Sequence, residues 1–304
     1  MAAGLLGVAD KVSASPLSRL ARMADVSPQG TFDENKVVFI SDLHTNPGGY
    51  QPDLLAKCIE QILQMRPLPR NVIALGDLAY LTGQPHEYAR LQQLLKPFEG
   101  TGIRLTLAMG NHDRRENFRE TFPEQAAKSK LDHRLTYIVE TPHADIIVLD
   151  SLQQGEDTTT WITPGAIDEA QMKWLEETLK SYRKPVFVSS HHPIKETKVN
   201  KVMLECPFCC GYLYGHDHRW RKDWFIQNYS STRLIPTLCM PSTGHWGDIG
   251  FVTFHIDKEQ ATARLHQTDF FFPHPMDESQ PIPEQWKMMV EDHRNATCTF
   301  SLKP

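Results

Sequence analysis

The chain has 304 residues, of which 40% are hydrophobic and 23% charged, and its formal net charge is -5. This composition is typical of a globular protein, and no apolar run is long enough to span a membrane. The negative charge excludes a general attraction to nucleic acid or to an anionic membrane, so we expect neither as a partner. The first residues lack the basic segment of a secretory signal, which predicts a cytoplasmic protein unless a signal sequence lies upstream of Met1.

Short apolar runs alternate with amphipathic segments from residue 36 onward, which predicts an α/β fold of layered sheets and helices. The first half is predicted to contain strands at 36–42, 71–77 and 104–109, with helices near 54–62 and 87–98. Strands at 136–140, 146–150 and 185–190 follow, with a helix at 168–181. The segments 235–242, 251–256 and 261–268 alternate like antiparallel strands and suggest a second sheet. Beyond residue 270 the chain is rich in proline, with a short helix predicted at 285–291.

Metal-binding residue types gather where the predicted strands end. The set comprises Asp42, His44, Asp77, Asn111, His191, His216 and His218. Open α/β sheets bind ligands beyond the carboxyl ends of their strands, so these side chains are expected to converge. Two divalent ions need a carboxylate that reaches both, and Asp77 is the natural bridge. Because the set contains oxygen and imidazole donors without sulfur, it suits manganese, iron or zinc.

Three of the six cysteines crowd into residues 206–210. Cys206 and Cys209 have the spacing of half a zinc knuckle or of a redox pair. No second cysteine pair follows them, and the segment runs into a predicted strand. Packing is therefore favoured over metal binding for this cluster.

Five blocks in this sequence resemble the calcineurin-like metallophosphoesterases. They are Asp-x-His at 42–44, Gly-Asp at 76–77, Gly-Asn-His-Asp at 110–113, a histidine at 191 and Gly-His-x-His at 215–218. The resemblance implies a four-layer α-β-β-α sandwich of two mixed sheets flanked by helices. It also implies a catalytic domain at 36–268, preceded by an N-terminal extension at 1–35 and followed by a tail at 269–304 that wraps the domain.

The resemblance further implies two divalent or mixed-valence ions. One ion would take Asp42, His44, Asp77 and His218, and the other would take Asp77, Asn111, His191 and His216. Of the pair His191-His192, the first residue fits the family spacing to Pro193, which leaves His192 as a neighbour. A hydroxide held between the ions would attack phosphorus in line. His112 is the candidate general acid for the leaving group, and the alternative is that it only holds its loop.

Residues around these blocks narrow the expected substrate. Tyr80 stands where the protein-phosphatase branch of the family carries an aspartate, which disfavours a serine/threonine protein phosphatase. The segments 110–123, 149–152 and 165–175 resemble the bacterial cyclic-nucleotide and glycerophosphodiester phosphodiesterases. We therefore expect hydrolysis of small phosphodiesters. The alternatives are a phosphomonoesterase or pyrophosphatase on the same site, and a non-catalytic metal-binding scaffold.

Three residues are further candidates for substrate binding. Arg114 and Arg115 could clamp a phosphate in bidentate fashion, although pairing within their loop would explain them equally well. His245, with its neighbour Trp246, lies in the glycine-rich loop 243–250, which could approach the site and line a substrate pocket. The alternative for Trp246 is simple packing.

Overall fold

The computed structural model describes residues 20, 31–157, 159–160, 164–225, 233–271, 293 and 295–303. These residues form two six-stranded mixed sheets that pack face to face, with helices against their outer faces. This arrangement confirms the predicted α/β sandwich. Within the described part of the chain, no helix combines the length and the apolar character that crossing a membrane requires.

The first sheet contains three parallel strands at one side. Its strands are β1 (Phe32–Ile40), β2 (Leu68–Ala74), β3 (Arg104–Leu107), β10 (Gly247–Ile256), β11 (Gln260–Phe271) and β12 (Thr297–Ser301). They are ordered β12-β11-β10-β1-β2-β3, with β1, β2 and β3 parallel and β10 antiparallel to β1. The register places Val38 opposite Val72. Because parallel strands end at the same edge, the segments that follow β1, β2 and β3 lie side by side.

The second sheet also contains neighbouring parallel strands. Its strands are β4 (Tyr137–Glu140), β5 (Asp145–Val148), β6 (Val186–Ser190), β7 (Cys209–Tyr214), β8 (Arg221–Phe225) and β9 (Ile235–Cys239). The order is β4-β5-β6-β7-β9-β8, and β5, β6, β7 and β9 run parallel. The segments after β5, β6 and β7 therefore also share one edge.

Helices connect the strands and cover the sheets. They are α1 (Gln51–Gln64), α2 (Pro85–Leu95), α3 (Arg115–Thr121), α4 (Pro123–Ala126), α5 (Glu169–Ser181), α6 (Ile194–Thr197) and α7 (Asn200–Glu205), with a 3₁₀ turn at Lys96–Phe98. Helix α1 buries Leu55, Ile59 and Ile62, which recur at helical spacing along one face. Helix α5 begins at an N-cap aspartate, since the Asp168 carboxylate accepts a hydrogen bond from the backbone N–H of Gln171.

Aromatic side chains join the two sheets. The ring of Phe187 on β6 lies 5.0 Å from that of Phe254 on β10 and 5.5 Å from that of Phe300 on β12. All three rings are fully buried and meet edge to face, the geometry that aromatic pairs prefer. This contact fixes how the two sheets are stacked, and hence how their edges meet.

The structure corrects several predicted boundaries. The strands predicted at 36–42 and 71–77 end at Ile40 and Ala74, before the aspartates that follow them. Residues 297–301, predicted as part of a tail, form β12 and pair with β11, with Ala263 opposite Cys298. The helix predicted at 285–291 lies outside the described residues, and the domain limits at 35 and 268 stay predictions.

Candidate metal centre

All seven predicted metal ligands lie just beyond strand ends. Asp42 and His44 follow β1, Asp77 follows β2, Asn111 follows β3, His191 follows β6, and His216 and His218 follow β7. Six of them are buried and His216 is partly buried. The packing of the two sheets brings both edges together, so four of these side chains come from the first sheet and three from the second.

One group contains Asp42, His44, Asp77 and His218, whose ligand atoms all lie within 4.8 Å of one another. Nε2 of His218 is 3.1 Å from Oδ1 of Asp42. Nε2 of His44 is 3.4 Å from Oδ2 of Asp77. This His44 nitrogen is buried and has no hydrogen-bond partner among the described residues. A buried imidazole nitrogen without a partner is costly in a protein interior, and a bound cation would satisfy it.

A second group contains His191 and His216, whose ligand atoms and that of His192 all lie within 4.8 Å of one another. Nδ1 of His216 lies 3.0 Å from Oδ1 of Asn111 and 3.2 Å from Nε2 of His191. Nε2 of His191 also lies 3.1 Å from Oδ2 of Asp77. The same carboxylate oxygen therefore faces His44 in the first group and His191 in the second, which is the position that a bridging ligand requires.

Backbone carbonyls fix the tautomers of three histidines. Nδ1 of His44 donates to the carbonyl of Tyr80 at 3.0 Å, that of His191 to Leu75 at 2.8 Å, and that of His218 to Trp246 at 2.9 Å. A carbonyl can only accept, so Nδ1 carries a proton in each case and Nε2 is the nitrogen left to bind a metal ion. Metal-binding histidines are oriented in this way by a second hydrogen bond, so these residues fit a divalent ion.

Five of the predicted ligands have left-handed backbone conformations, with positive φ. They are Asp42, His44, Asp77, His216 and His218, with φ between 41° and 68°. Residues other than glycine seldom adopt such angles, and strain of this kind concentrates at functional sites. These angles also explain why β1, β2 and β7 end before the predicted ligands that follow them, because a residue at positive φ cannot continue a strand.

Two glycines allow the loops to approach one another. A Cβ atom at Gly76 would lie 2.8 Å from the backbone nitrogen of Gly110 and from the Cβ of His191. A Cβ atom at Gly110 would lie 2.2 Å from Oδ1 of Asp77. The glycines of the Gly-Asp and Gly-Asn-His-Asp blocks are therefore required by the close contact between the loops.

The pKa shifts of the site favour metal binding at Asp77 and His44 and oppose it at His191. Burial opposes ionisation of Asp77, but His191 and His112 outweigh it and hold the pKa of Asp77 well below its ordinary value. Burial lowers the pKa of His44 well below its ordinary value despite the neighbouring Asp77. Burial also disfavours the charged form of His191, yet Asp77 and Asp42 raise its pKa to about 9. An ion bound at His191 would therefore have to displace a proton.

His112 lies beside His44 and the shared Asp77. Its ring centroid is 4.6 Å from that of His44, and its Nδ1 donates to the carbonyl of Leu81 at 2.9 Å. Its backbone N–H donates to Oδ1 of Asp77 at 3.0 Å. His112 is thus positioned relative to the carboxylate that both groups share.

Asp113 is an organising residue to which the sequence pattern assigned no role, although it ends the Gly-Asn-His-Asp block. Its buried carboxylate accepts hydrogen bonds from the backbone N–H groups of Leu78, Ala79 and Gly110 and from the Tyr88 hydroxyl. Burial and the nearby Asp77 raise the pKa of Asp113 to about 7. These bonds tie the loop that carries Asp77 to the loop that carries Asn111.

The two arginines predicted as phosphate clamps are engaged by protein groups. Nε of Arg114 donates to the carbonyl of Thr82 at 3.2 Å, and its terminal nitrogens bond to the carbonyls of Gly155, Asp157 and Thr160. Nε of Arg115 pairs with the buried Asp150 at 2.6 Å. The alternative of pairing within the loops therefore describes both arginines in this structure, and the clamp has no support from it.

His245 does lie beside the metal-binding residues. Its ring centroid is 4.2 Å from that of His44 and 5.6 Å from that of His218. The hydroxyl of Tyr50 lies 3.5 Å from Nδ1 of His245. Trp246 contributes the carbonyl that orients His218. Residues 243–246 thus form one wall of the site, whereas residues 247–250 of the predicted loop belong to β10.

The cysteine cluster packs within the protein. Cys206, Cys209 and Cys210 are buried and free, and within the described chain they join neither of the groups that could hold a metal ion. The guanidinium of Arg233 donates to the carbonyls of Cys206 and Cys209 and so holds this turn together. These contacts agree with the packing interpretation.

Comparisons with known proteins agree with the motifs. Residues 35–220 match the model of the calcineurin-like phosphoesterase family. The chain is 30% identical over 165 residues to a probable glycerophosphodiester phosphodiesterase of Arcobacter nitrofigilis, covering 52% of this chain and 56% of the relative. It is also 30% identical over 166 residues to a cAMP/cGMP dual specificity phosphodiesterase of Mycobacterium tuberculosis, covering 52% of this chain and 49% of the relative. The chain thus spans about half the length of these curated relatives.

A solved structure shares the fold. A dimetal phosphatase from Danio rerio superposes with a TM-score of 0.57 at 14% identity, covering 77% of this chain and 96% of that protein. At this identity the likeness concerns the fold alone. The family match covers more than half of the 304 residues and includes every motif named above. The chain therefore belongs to the calcineurin-like phosphoesterase family.

Proposed function

We propose that this chain is a two-metal phosphoesterase that hydrolyses small phosphodiesters. One observation carries the proposal: two groups of metal-binding side chains share Oδ2 of Asp77, and His112 lies beside this carboxylate and beside His44. A site that served only one structural ion would need neither the second group nor a titratable side chain beside the shared carboxylate.

The residues present fit two divalent ions. Asp42, His44, Asp77 and His218 would hold one ion, and Asp77, Asn111, His191 and His216 would hold the other. When bound, the two ions would supply Lewis-acid chemistry by neutralising phosphoryl charge and lowering the pKa of coordinated water. The protein contributes the fixed spacing of these donors through the carbonyls, glycines and left-handed residues described above.

His112 would act as the general acid. Its Nδ1 proton is committed to the carbonyl of Leu81, so Nε2 is the nitrogen that would deliver a proton to the departing alkoxide. The bond from its backbone N–H to Asp77 keeps the ring at a constant place relative to the shared carboxylate. Such positioning is what a proton donor needs in order to act on one oxygen of the ester.

Small phosphodiesters are the substrate class that the relatives support. One relative is named for glycerophosphodiesters and the other for cAMP and cGMP, and both kinds of molecule carry a phosphate between two ester oxygens. Tyr80 adds a second argument, because the aspartate of the protein-phosphatase branch is missing at this position.

A comparison of two chromogenic esters tests the proposal. Protein loaded with Mn²⁺ or Zn²⁺ should hydrolyse bis(p-nitrophenyl) phosphate faster than p-nitrophenyl phosphate, and chelation should abolish both activities. His191→Ala should remove one ion and most of the activity. His255→Ala is the matched control, because His255 lies on β10 opposite Lys36, in the middle of β1 and away from the strand end that leads to Asp42. Protein that holds two ions yet cleaves neither ester would disprove the proposed function, and a faster reaction with the monoester would disprove the substrate class.

A further inference from the structure

Ser151 and His192 form a buried pair beside the second group. Ser151 follows β5 and His192 follows β6, and both are fully buried. Oγ of Ser151 lies 2.8 Å from Nδ1 of His192 and accepts a hydrogen bond from the backbone N–H of His192 at 3.3 Å. Among the described residues, the Ser151 hydroxyl makes these two hydrogen bonds.

Counting protons assigns the tautomer of His192. The Ser151 hydroxyl has one proton, and a buried hydroxyl proton needs an acceptor. The backbone N–H of His192 is itself a donor to this hydroxyl, so the acceptor of the hydroxyl proton is Nδ1 of His192. The neutral imidazole then carries its proton on Nε2. His44, His191 and His218 have a different arrangement, because each gives its Nδ1 proton to a carbonyl and keeps Nε2 for a metal ion.

The Nε2 atom of His192 has no hydrogen-bond partner among the described residues, although it is buried. The ring centroid of His192 lies 4.8 Å from that of His191 and 4.9 Å from that of His216. The backbone of Gly165 also packs closely against the His192 ring, since a Cβ atom at Gly165 would lie 2.2 Å from Cγ of His192. An unsatisfied N–H is therefore fixed next to two of the residues predicted to bind the second ion.

We propose that His192 is an anion-binding residue of this site, whose Nε2–H donates a hydrogen bond to an oxygen of the phosphate group. An ion at Nε2 would require the other tautomer, and the buried Ser151 hydroxyl would then lose its acceptor. When Nε2–H donates to a phosphate oxygen, Nδ1 of His192 still accepts the Ser151 proton, so the hydroxyl and both ring nitrogens have partners. The proposal rests on the proposed phosphoesterase function, because that function brings phosphate to the site. His192 would also supply a hydrogen-bond donor for phosphate, a role that Arg114 and Arg115 do not fill because they bond to other protein groups.

Two substitutions at one position separate the roles of the two ring nitrogens. His192→Asn places its amide near the Nδ1 position and removes the outer donor, whereas His192→Gln places an N–H near the Nε2 position. In zinc-loaded protein, the affinity for inorganic phosphate measured by calorimetry should fall about tenfold in His192→Asn and stay within about threefold in His192→Gln. Both variants should keep the metal content of the unaltered protein, and His255→Asn should change nothing.

Nitrogen-15 NMR of the histidine rings in the unaltered zinc protein gives an independent measurement. It should show the His192 proton on Nε2, and Ser151→Ala should weaken that preference. A proton on Nδ1, loss of one ion in His192→Asn, or unchanged phosphate affinity in His192→Asn would each overturn the proposal. So would zinc-loaded protein that binds no phosphate. If the unaltered protein binds phosphate but cleaves no ester, only the proposed function fails, and the phosphate affinities still decide the role of His192.

Discussion

Gly110→Ala should disable the site by moving Asp77. The added Cβ would lie 2.2 Å from Oδ1 and 2.3 Å from the backbone nitrogen of Asp77, whereas ordinary contact begins near 3.4 Å. Asp77 would therefore have to move by about 1.2 Å in a region that is already close-packed. A misplacement of about 1 Å can cost on the order of 100-fold in rate. Forcing a methyl group into a packed interior costs about 1–3 kcal/mol of stability. Because Oδ2 of Asp77 faces both groups, both ions should be held less tightly.

The assay for this variant combines metal content by mass spectrometry, diester hydrolysis with saturating metal, and thermal unfolding. Gly48→Ala is the matched control, since no atom lies within 4 Å of the Cβ that it would add. The control should keep its ions and its activity. If Gly110→Ala loses stability yet keeps two ions and an activity within about threefold of the unaltered protein, the position of Asp77 does not govern the site and the reasoning fails.

Three further outcomes follow from the structure. His112→Asn should slow hydrolysis of an alkyl diester by about 100-fold or more while sparing p-nitrophenyl esters, whose leaving group needs no proton; equal losses would argue against a general acid. Asp168→Ala should lower the free energy of unfolding by about 1 kcal/mol through loss of the α5 cap. Although burial opposes ionisation of Asp168, hydrogen bonds from Gln171 and Arg134 lower its pKa. The stabilisation by the cap is therefore present above the ordinary pKa of an aspartate and should vanish on acidification. Urea unfolding at several pH values would show this loss. Burial raises the pKa of Cys58 to about 12, and five of the six cysteines are buried, so a thiol reagent at pH 8 should label at most one thiol rapidly before unfolding.

Most of the strands along the chain and the gathering of the predicted ligands beyond strand ends were predictable because apolar patterning and donor type are local properties. The sequence placed Asp42 and Asp77 within strands, whereas the structure ends those strands at Ile40 and Ala74. Apolar runs report burial, and they carry no information about a backbone that turns to positive φ. The sequence also missed β12, because a strand that forms by pairing with a separate segment, here β11, leaves little trace in its own apolar pattern.

The roles of individual polar side chains depend on partners that the sequence cannot show. Arg114 and Arg115 have the chemistry of phosphate ligands, but Gly155 and Asp150 engage them in the structure. Family spacing favoured His191 as the ligand, and only the folded chain shows that Nδ1 of His192 lies against the Ser151 hydroxyl, whereas Nδ1 of His191 lies against the carbonyl of Leu75. Motifs thus identify which residues meet, while hydrogen bonds determine what each can do.

The division of the ligands between two sheets has a consequence for how the protein is made. Each group combines residues after β1, β2 or β3 with histidines after β6 or β7, so neither half of the chain can complete either group. A nascent chain would have its carboxylates in place long before His216 and His218 leave the ribosome. Metal uptake then comes late in assembly, since an ion held at either position would join the two sheets.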